Sequence, residues 1–269
     1  MSSTETAPVA GPKADPGETG VAIRDRPATR TLGGYVATPL FIAVVLVSLY
    51  FYISGQDLGA SVNRFLTSDL IITKTLEHIQ LSLVSTVLVL AIAIPMGILL
   101  TRDFAAKATG PVLAVFNTGQ ATPSIGVLAL IAAILGRVGF WAAIFGLVTY
   151  AALAVLRNTM VGLTQVDEAV LESGRGMGMT KIGVLLRLEL PLAVPIILAG
   201  VRTALVLTVG SATLATYVAA GGLGEIIAFG IGFNRPAVTL VGAALAASLA
   251  LMIDYIAGIA EDFLRPRGL

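Results

Sequence analysis

Chemistry in this chain has few residues to work with. The sequence holds no cysteine and a single histidine, His78, among 269 residues. Disulfides, thiolate catalysis and cysteine zinc sites are therefore excluded. His78 has no histidine or cysteine with which to share a metal ion, so no metal site is read. The phosphate loop G-x-x-x-x-G-K-[ST] is absent, and so are H-E-x-x-H and G-x-S-x-G. The stretch SGRGMG, residues 173–178, has the glycine spacing of a nucleotide fingerprint but follows no strand pattern. The chain is read as non-enzymatic, with no cofactor of its own. What remains is residues 172–191, ESGRGMGMTKIGVLLRLELP. It carries five charged side chains in a chain that is 12% charged, and three glycines in five positions, Gly174, Gly176 and Gly178.

Local rules give this insert a shape. Val166, Ala169 and Val170, beside Asp167 and Glu168, predict a short amphipathic helix. The glycines interrupt it, because glycine disfavours helix interiors and permits positive φ and close backbone approach. Thr180 caps a second helix over 181–188, and Pro191, with Pro195 one turn later, opens the next. Ile182, Val184, Leu185, Leu186 and Leu188 load that second helix with more apolar surface than a solvated loop carries. Two uses fit: a helix lying on lipid, or a knob docked into the groove of a cytoplasmic partner.

The elements around the insert are those of a membrane protein. The chain is 56% hydrophobic, with a mean hydropathy of +0.91. Soluble domains carry about 25% charged residues, and no single globular core could bury so large an apolar excess. The net charge of +1 gives no reason to invoke nucleic acid. Apolar runs of about twenty residues, the length that crosses a hydrocarbon core of about 30 Å, fall at 36–53, 81–100, 111–135, 140–156, 191–218 and 236–260. Pro111 and Pro236 suit first-turn positions. Residues 1–31 have no apolar period and read as a disordered tail; 74–260 form the core and 261–269 a second tail. With the N-terminus inside, twelve of the 17 Lys and Arg lie on the cytoplasmic side, four lie outside, and Arg202 sits within a span. That bias places both termini and the insert in the cytoplasm.

Within the spans, Thr203, Thr208, Ser211, Thr213, Thr216 and Tyr217 interleave with Gly200, Gly210, Gly221, Gly222 and Gly224. Small and hydroxyl side chains let membrane helices approach and hydrogen-bond across, so a purely structural contact is one reading. The other makes Thr213, Thr216, Tyr217, Gly221 and Gly222, with Thr122, Pro123 and Ser124, the walls of a translocation path. Several aromatic faces around one point, as a quaternary ammonium needs, are not evident. Arg202 is a charge inside a span and calls for a partner. Snorkelling to the cytoplasm is the preferred reading; pairing with Asp254 is the alternative.

The insert resembles the coupling motif of binding-protein-dependent ABC importer permeases: Glu-Ala-Ala, three residues, Gly, then a run ending Leu-Pro. Aligned on Leu190 and Pro191, the glutamate falls at Glu172 and the glycine at Gly178. Ser173 and Gly174 stand where the alanines would be, and Glu189 replaces an apolar residue. GMGMT at 176–180, QATPSIGVLAL at 120–130 and AGVRTALVLTVGSATLATYVAAGGLGEII at 199–227 are similar to the osmoprotectant branch, whose members import glycine betaine, choline, carnitine or proline betaine. The resemblance spans 74–260. It implies an all-α, MetI-like ABC importer permease fold with six transmembrane helices and a cytoplasmic coupling helix between spans four and five. Glu172, Ser173, Gly174, Gly178, Thr180, Lys181, Leu185, Leu190 and Pro191 are the implied contacts to the ATPase. Glu172 is expected to fix the loop through a hydrogen bond or ion pair, with Arg175 or Arg187 as partner. The implied partners are a cytoplasmic ABC ATPase dimer that uses the ATP and Mg, a second permease subunit, an extracytoplasmic solute-binding protein and the lipid of a bacterial plasma membrane. Import of another small solute such as an amino acid is the runner-up. An ion-coupled secondary transporter expects repeated halves and several intramembrane acids.

Overall fold

A computed structural model describes residues 32–55 and 66–264, and the expected tail at 1–31 lies outside them. Every regular element among the described residues is helical. The helices are α1 (Leu32–Ser54), α2 (Ser68–Leu100), α3 (Ala106–Ala121), α4 (Ser124–Leu135), α5 (Phe140–Thr164), α6 (Glu168–Gly176), α7 (Lys181–Val184), α8 (Leu190–Ala212), α9 (Gly224–Gly232) and α10 (Pro236–Leu264). Three-residue and six-residue 3₁₀ turns, Asp103–Ala105 and Thr213–Val218, sit before α3 and after α8. Helix α10 runs four residues into the stretch expected to be a tail.

Helix α5 is the centre. Its alanine-rich face, including Ala142, Ala143, Ala151, Ala152 and Leu156, is buried, and it packs against α8, α2 and α4. Close approach is what small residues allow here: a Cβ on Gly200 of α8 would meet Asn158 of α5 at 2.5 Å, and one on Gly162 would meet Ala193 at 3.2 Å. Polar ties reinforce the seam between α2 and α8. The fully buried His78 holds Val209 O through Nε2 at 3.0 Å, and Thr86 meets Thr208 at 3.1 Å. A carbonyl only accepts, so Nε2 carries the proton. Thr208 thus serves the structural reading of its span.

Five stretches are long and apolar enough to cross a membrane, and a bent pair, 103–121 with 124–135, makes a sixth candidate. That pair replaces the single third span expected at 111–135; the chain bends by 113° between its halves. Pro123 lacks a donor and pushes its predecessor out of the helical region, and both Thr122 (ψ 138) and Pro123 (ψ 132) are extended. Pro111 lies inside α3 rather than in its first turn.

The opposite happens at Leu190 and Pro191, where a break was expected and the helix continues. Residues 181–218 form one helical path. Between α7 and α8 lies a π-turn, Leu185–Glu189, in which the Leu190 N–H reaches back five residues to Leu185 O. A widened turn accommodates a proline that has no N–H to give its i−4 carbonyl. The second helix of the insert is therefore the first turns of the following span, not a separate element on the surface.

Candidate functional site

The insert folds as a helix, a glycine turn and a helix start. Asp167 caps α6 by accepting from Ala169 N at 2.9 Å, and Thr180 caps α7 by accepting from Gly183 N at 3.1 Å. Between them Gly178 adopts φ +86, a left-handed conformation that disfavours side chains, and nothing lies within 4 Å of where its Cβ would be. Its N–H donates to Arg175 O at 2.9 Å, and the Met179 N–H donates to Gly174 O at 3.1 Å. Gly174 is glycine for another reason: it is buried, and its Cβ would fall 2.5 Å from Leu188 Cδ1. Leu185 and Leu190 pack on Leu163, Ala193 and Ile197, so they anchor the segment inward.

Its outer face is apolar. Met177, Ile182 and Leu186 are exposed, the last two one helical turn apart. Glu172, Ser173 and Lys181 are exposed beside them, and the Ser173 hydroxyl donates to Ala169 O. The expected pairing of Glu172 with Arg175 or Arg187 does not form. Arg175 bonds Glu168 at 2.8 Å instead, one face of α6 bringing i and i+7 together. Glu189, the charged replacement in the motif, is buried and paired with Arg102 at the end of α2.

At the other end of the bundle, Thr216 and Gly221 line a cavity of about 460 Å³ with Lys74, Glu77, Ala219, Ala220 and Glu225. Lys74 bridges Glu77 at 3.0 Å and Glu225 at 2.5 Å. Glu77 also accepts from Gly222 N at 2.9 Å. Gly221 and Gly222 both have left-handed φ, +82 and +85, and a Cβ on Gly221 would collide with the Glu77 carboxylate. The two glycines let the chain turn against α2, which makes their role here positional.

Not all of the expected path walls converge. Tyr217 lies in a neighbouring cavity with Ala129, Ala132 and Gly136 from the far end of α4, while Thr122, Pro123 and Ser124 stand at the near end. At helical rise, Ala129 and Ala132 lie about 8 and 12 Å along α4 from Ser124. Thr213 turns its hydroxyl to Gly210 O at 2.7 Å. Midway along the bundle, Arg202 grips Asp254 through Nε at 2.6 Å and Nη2 at 2.7 Å, with Glu261 3.8 Å from Nη1. The alternative pairing is the one that forms, since a forked guanidinium fits a carboxylate bidentately.

The insert is thus two helices, each with a side-chain N-cap, turned by a left-handed glycine and continuous with the next span. Residues 93–267 match the family described as binding-protein-dependent transport system inner membrane component. The chain belongs to this family.

Such an inner membrane component is a multi-pass membrane protein, and its curated relatives agree in kind. The chain is 41% identical over 196 residues to the choline transport system permease protein OpuBB of Bacillus subtilis (strain 168), covering 73% of this chain and 89% of that one. It is 36% identical over 216 residues to the osmoprotectant import permease protein OsmY of Salmonella typhimurium, covering 80% and 90%. Among solved structures, an inward-facing MetNI methionine ABC transporter superposes with a TM-score of 0.65 at 26% identity, over 73% of this chain and 97% of that one. The fold is thus the MetI-like permease fold. Lys74, Glu77, Arg102 and Glu225 were not singled out from sequence. The signal was available: Lys74 and Glu77 are charges three apart, one helical face, beside a long apolar run.

Proposed function

We propose that this chain is the transmembrane permease subunit of an ATP-driven importer for a compatible solute of the glycine betaine, choline and carnitine class. The observation that carries the proposal is the coupling segment: a family match over 93–267 that contains a capped, glycine-turned insert with Met177, Ile182 and Leu186 exposed. An apolar helix face of this size beside charged Glu172 and Lys181 suits a groove on a cytoplasmic ATPase. In this reading the chain binds no nucleotide. ATP and Mg²⁺ act on two partner ATPase subunits, whose closure moves residues 168–190 and tilts the spans, giving alternating access. One chain encloses half a path, so a second permease, identical or paralogous, completes it, and an extracytoplasmic protein delivers the solute. The relatives named for choline, carnitine and glycine betaine support the solute class.

The test is uptake of radiolabelled choline, glycine betaine and carnitine by a transport-deficient strain that expresses the whole system. Saturable uptake of at least one, lost when the ATPase is inactivated, is expected. In the same system the purified chain alone should hydrolyse no ATP. Uptake that runs on an ion gradient without the ATPase would overturn the proposal.

A further inference from the structure

The pair of half-buried Arg102 and buried Glu189 stands where residues 168–189 meet the membrane bundle. Glu189 closes the π-turn, is only 5% exposed, and takes Arg102 Nη1 at 3.2 Å and Nη2 at 2.5 Å. Arg102 lies two residues past the end of α2 and is also held to that helix, its Nε donating to Ile98 O at 3.3 Å. A cation at a helix C-terminus is favourably placed. Among the ion pairs of the described residues, this one joins 168–189 to another helix; the pair of Arg175 and Glu168 stays within α6.

Its position matters because the helical path is weakest just there. The π-turn widens the helix at 185–189, and Pro191 and Pro195 remove two N–H donors one helical turn apart. A displacement applied to α6 and α7 could be absorbed by bending at this point before reaching α8. Beside the pair lies a cavity of about 480 Å³ lined by Arg102, Glu189, Leu163, Glu168, Leu171 and Arg175, so α6 is not packed solidly onto α2. The ion pair spans what packing leaves open.

We propose that Arg102 and Glu189 form a coupling strut: the pair fixes the end of α2 to the flexible turn, so movement of the coupling segment is delivered to α2 as well as α8. The proposal rests on the reading of 168–190 as the ATPase contact. The two residues are positioning groups; neither touches the solute. Separating them leaves a buried carboxylate without its cation, which makes the joint stiff.

The test uses the complete reconstituted complex with binding protein and measures solute moved per ATP hydrolysed. Arg102→Gln and Glu189→Gln should retain ATP hydrolysis per assembled complex while solute per ATP falls about fivefold or more, the low end of what coupling between sites carries. Because a single change could impair assembly, the double variant Arg102→Leu with Glu189→Leu removes both charges and keeps the volume filled, which restores stability to buried pairs. It should recover complex abundance without recovering solute per ATP. The exchanged pair, Arg102→Glu with Glu189→Arg, should recover part of both. A double-leucine complex with wild-type solute per ATP would overturn the strut, and so would single variants in which hydrolysis and uptake fall in parallel. A wild-type complex whose hydrolysis ignores loaded binding protein would instead count against the function proposed above, and the strut with it.

Discussion

Gly174 and Gly178 stand four residues apart and are glycine for different physical reasons. At Gly178 the space is open and the backbone is the constraint, φ +86; at Gly174 the backbone is helical and space is the constraint. The two respond differently to substitution. Asparagine tolerates the left-handed region, whereas a β-branched side chain there is strained by more than the usual 1–2 kcal/mol of an L-residue. Gly178→Asn should therefore keep most of the uptake, and Gly178→Val should abolish it and weaken co-purification of the ATPase, with insertion and abundance near wild type in both. Equal uptake by the two variants would separate this turn from coupling. The turn at Gly178 was legible because three glycines crowd between two capping residues. The partner of Glu172 was not, because Arg175 has two carboxylates within one face of α6 and only the folded geometry chooses Glu168.

Between helices, the polar ties show which part of the architecture sequence can reveal. Apolar length is local information, so the long runs at 36–53, 140–156 and 236–260 correspond to α1, α5 and α10. Proline is ambiguous by comparison: Pro123 ends α3, whereas Pro191 is absorbed by a π-turn and the helix goes on. The difference lies in tertiary packing around each proline, which no window of sequence contains. The pair of Arg202 on α8 and Asp254 on α10 is non-local in the same way, 52 residues apart. Each side chain keeps about a third of its surface exposed, so removing one partner should cost about 1–3 kcal/mol, below the range for fully buried pairs. Arg202→Gln is expected to lower the melting temperature of the purified complex, and adding Asp254→Asn should return most of the loss. If the double variant melts as low as the single one, the two helices are held by packing and the pair contributes little.

For the molecule as a whole, four contacts bear on whether the bent pair of α3 and α4 crosses the membrane or re-enters it. Arg102, just ahead of α3, meets Glu189 at the start of α8. Gly139, just after α4, donates to Val218 O beyond the end of α8, at 2.6 Å. The 23 residues of α8 hold those two points about 35 Å apart, so the bent pair carries the chain from one end of the bundle to the other. The Tyr35 hydroxyl of α1 bonds Asp262 of α10 at 3.3 Å, and the Tyr255 hydroxyl bonds Tyr35 O at 2.8 Å. The first helix thus begins where the last one ends, which requires an even number of crossings. With the bent pair taken as one span, the five long helices and that pair are expected to make six crossings. From the Lys and Arg bias that shared end is expected to face the cytoplasm. Protease-cleavable tags placed ahead of Leu32 and after Leu264 should both resist external protease in intact cells and both be cut in inverted vesicles. A cysteine at Met177 should be labelled from the same side as the tags and one at Phe233 from the opposite side, both positions being exposed. Tags cleaved from opposite sides would reduce the crossings to five and make residues 103–135 a re-entrant hairpin.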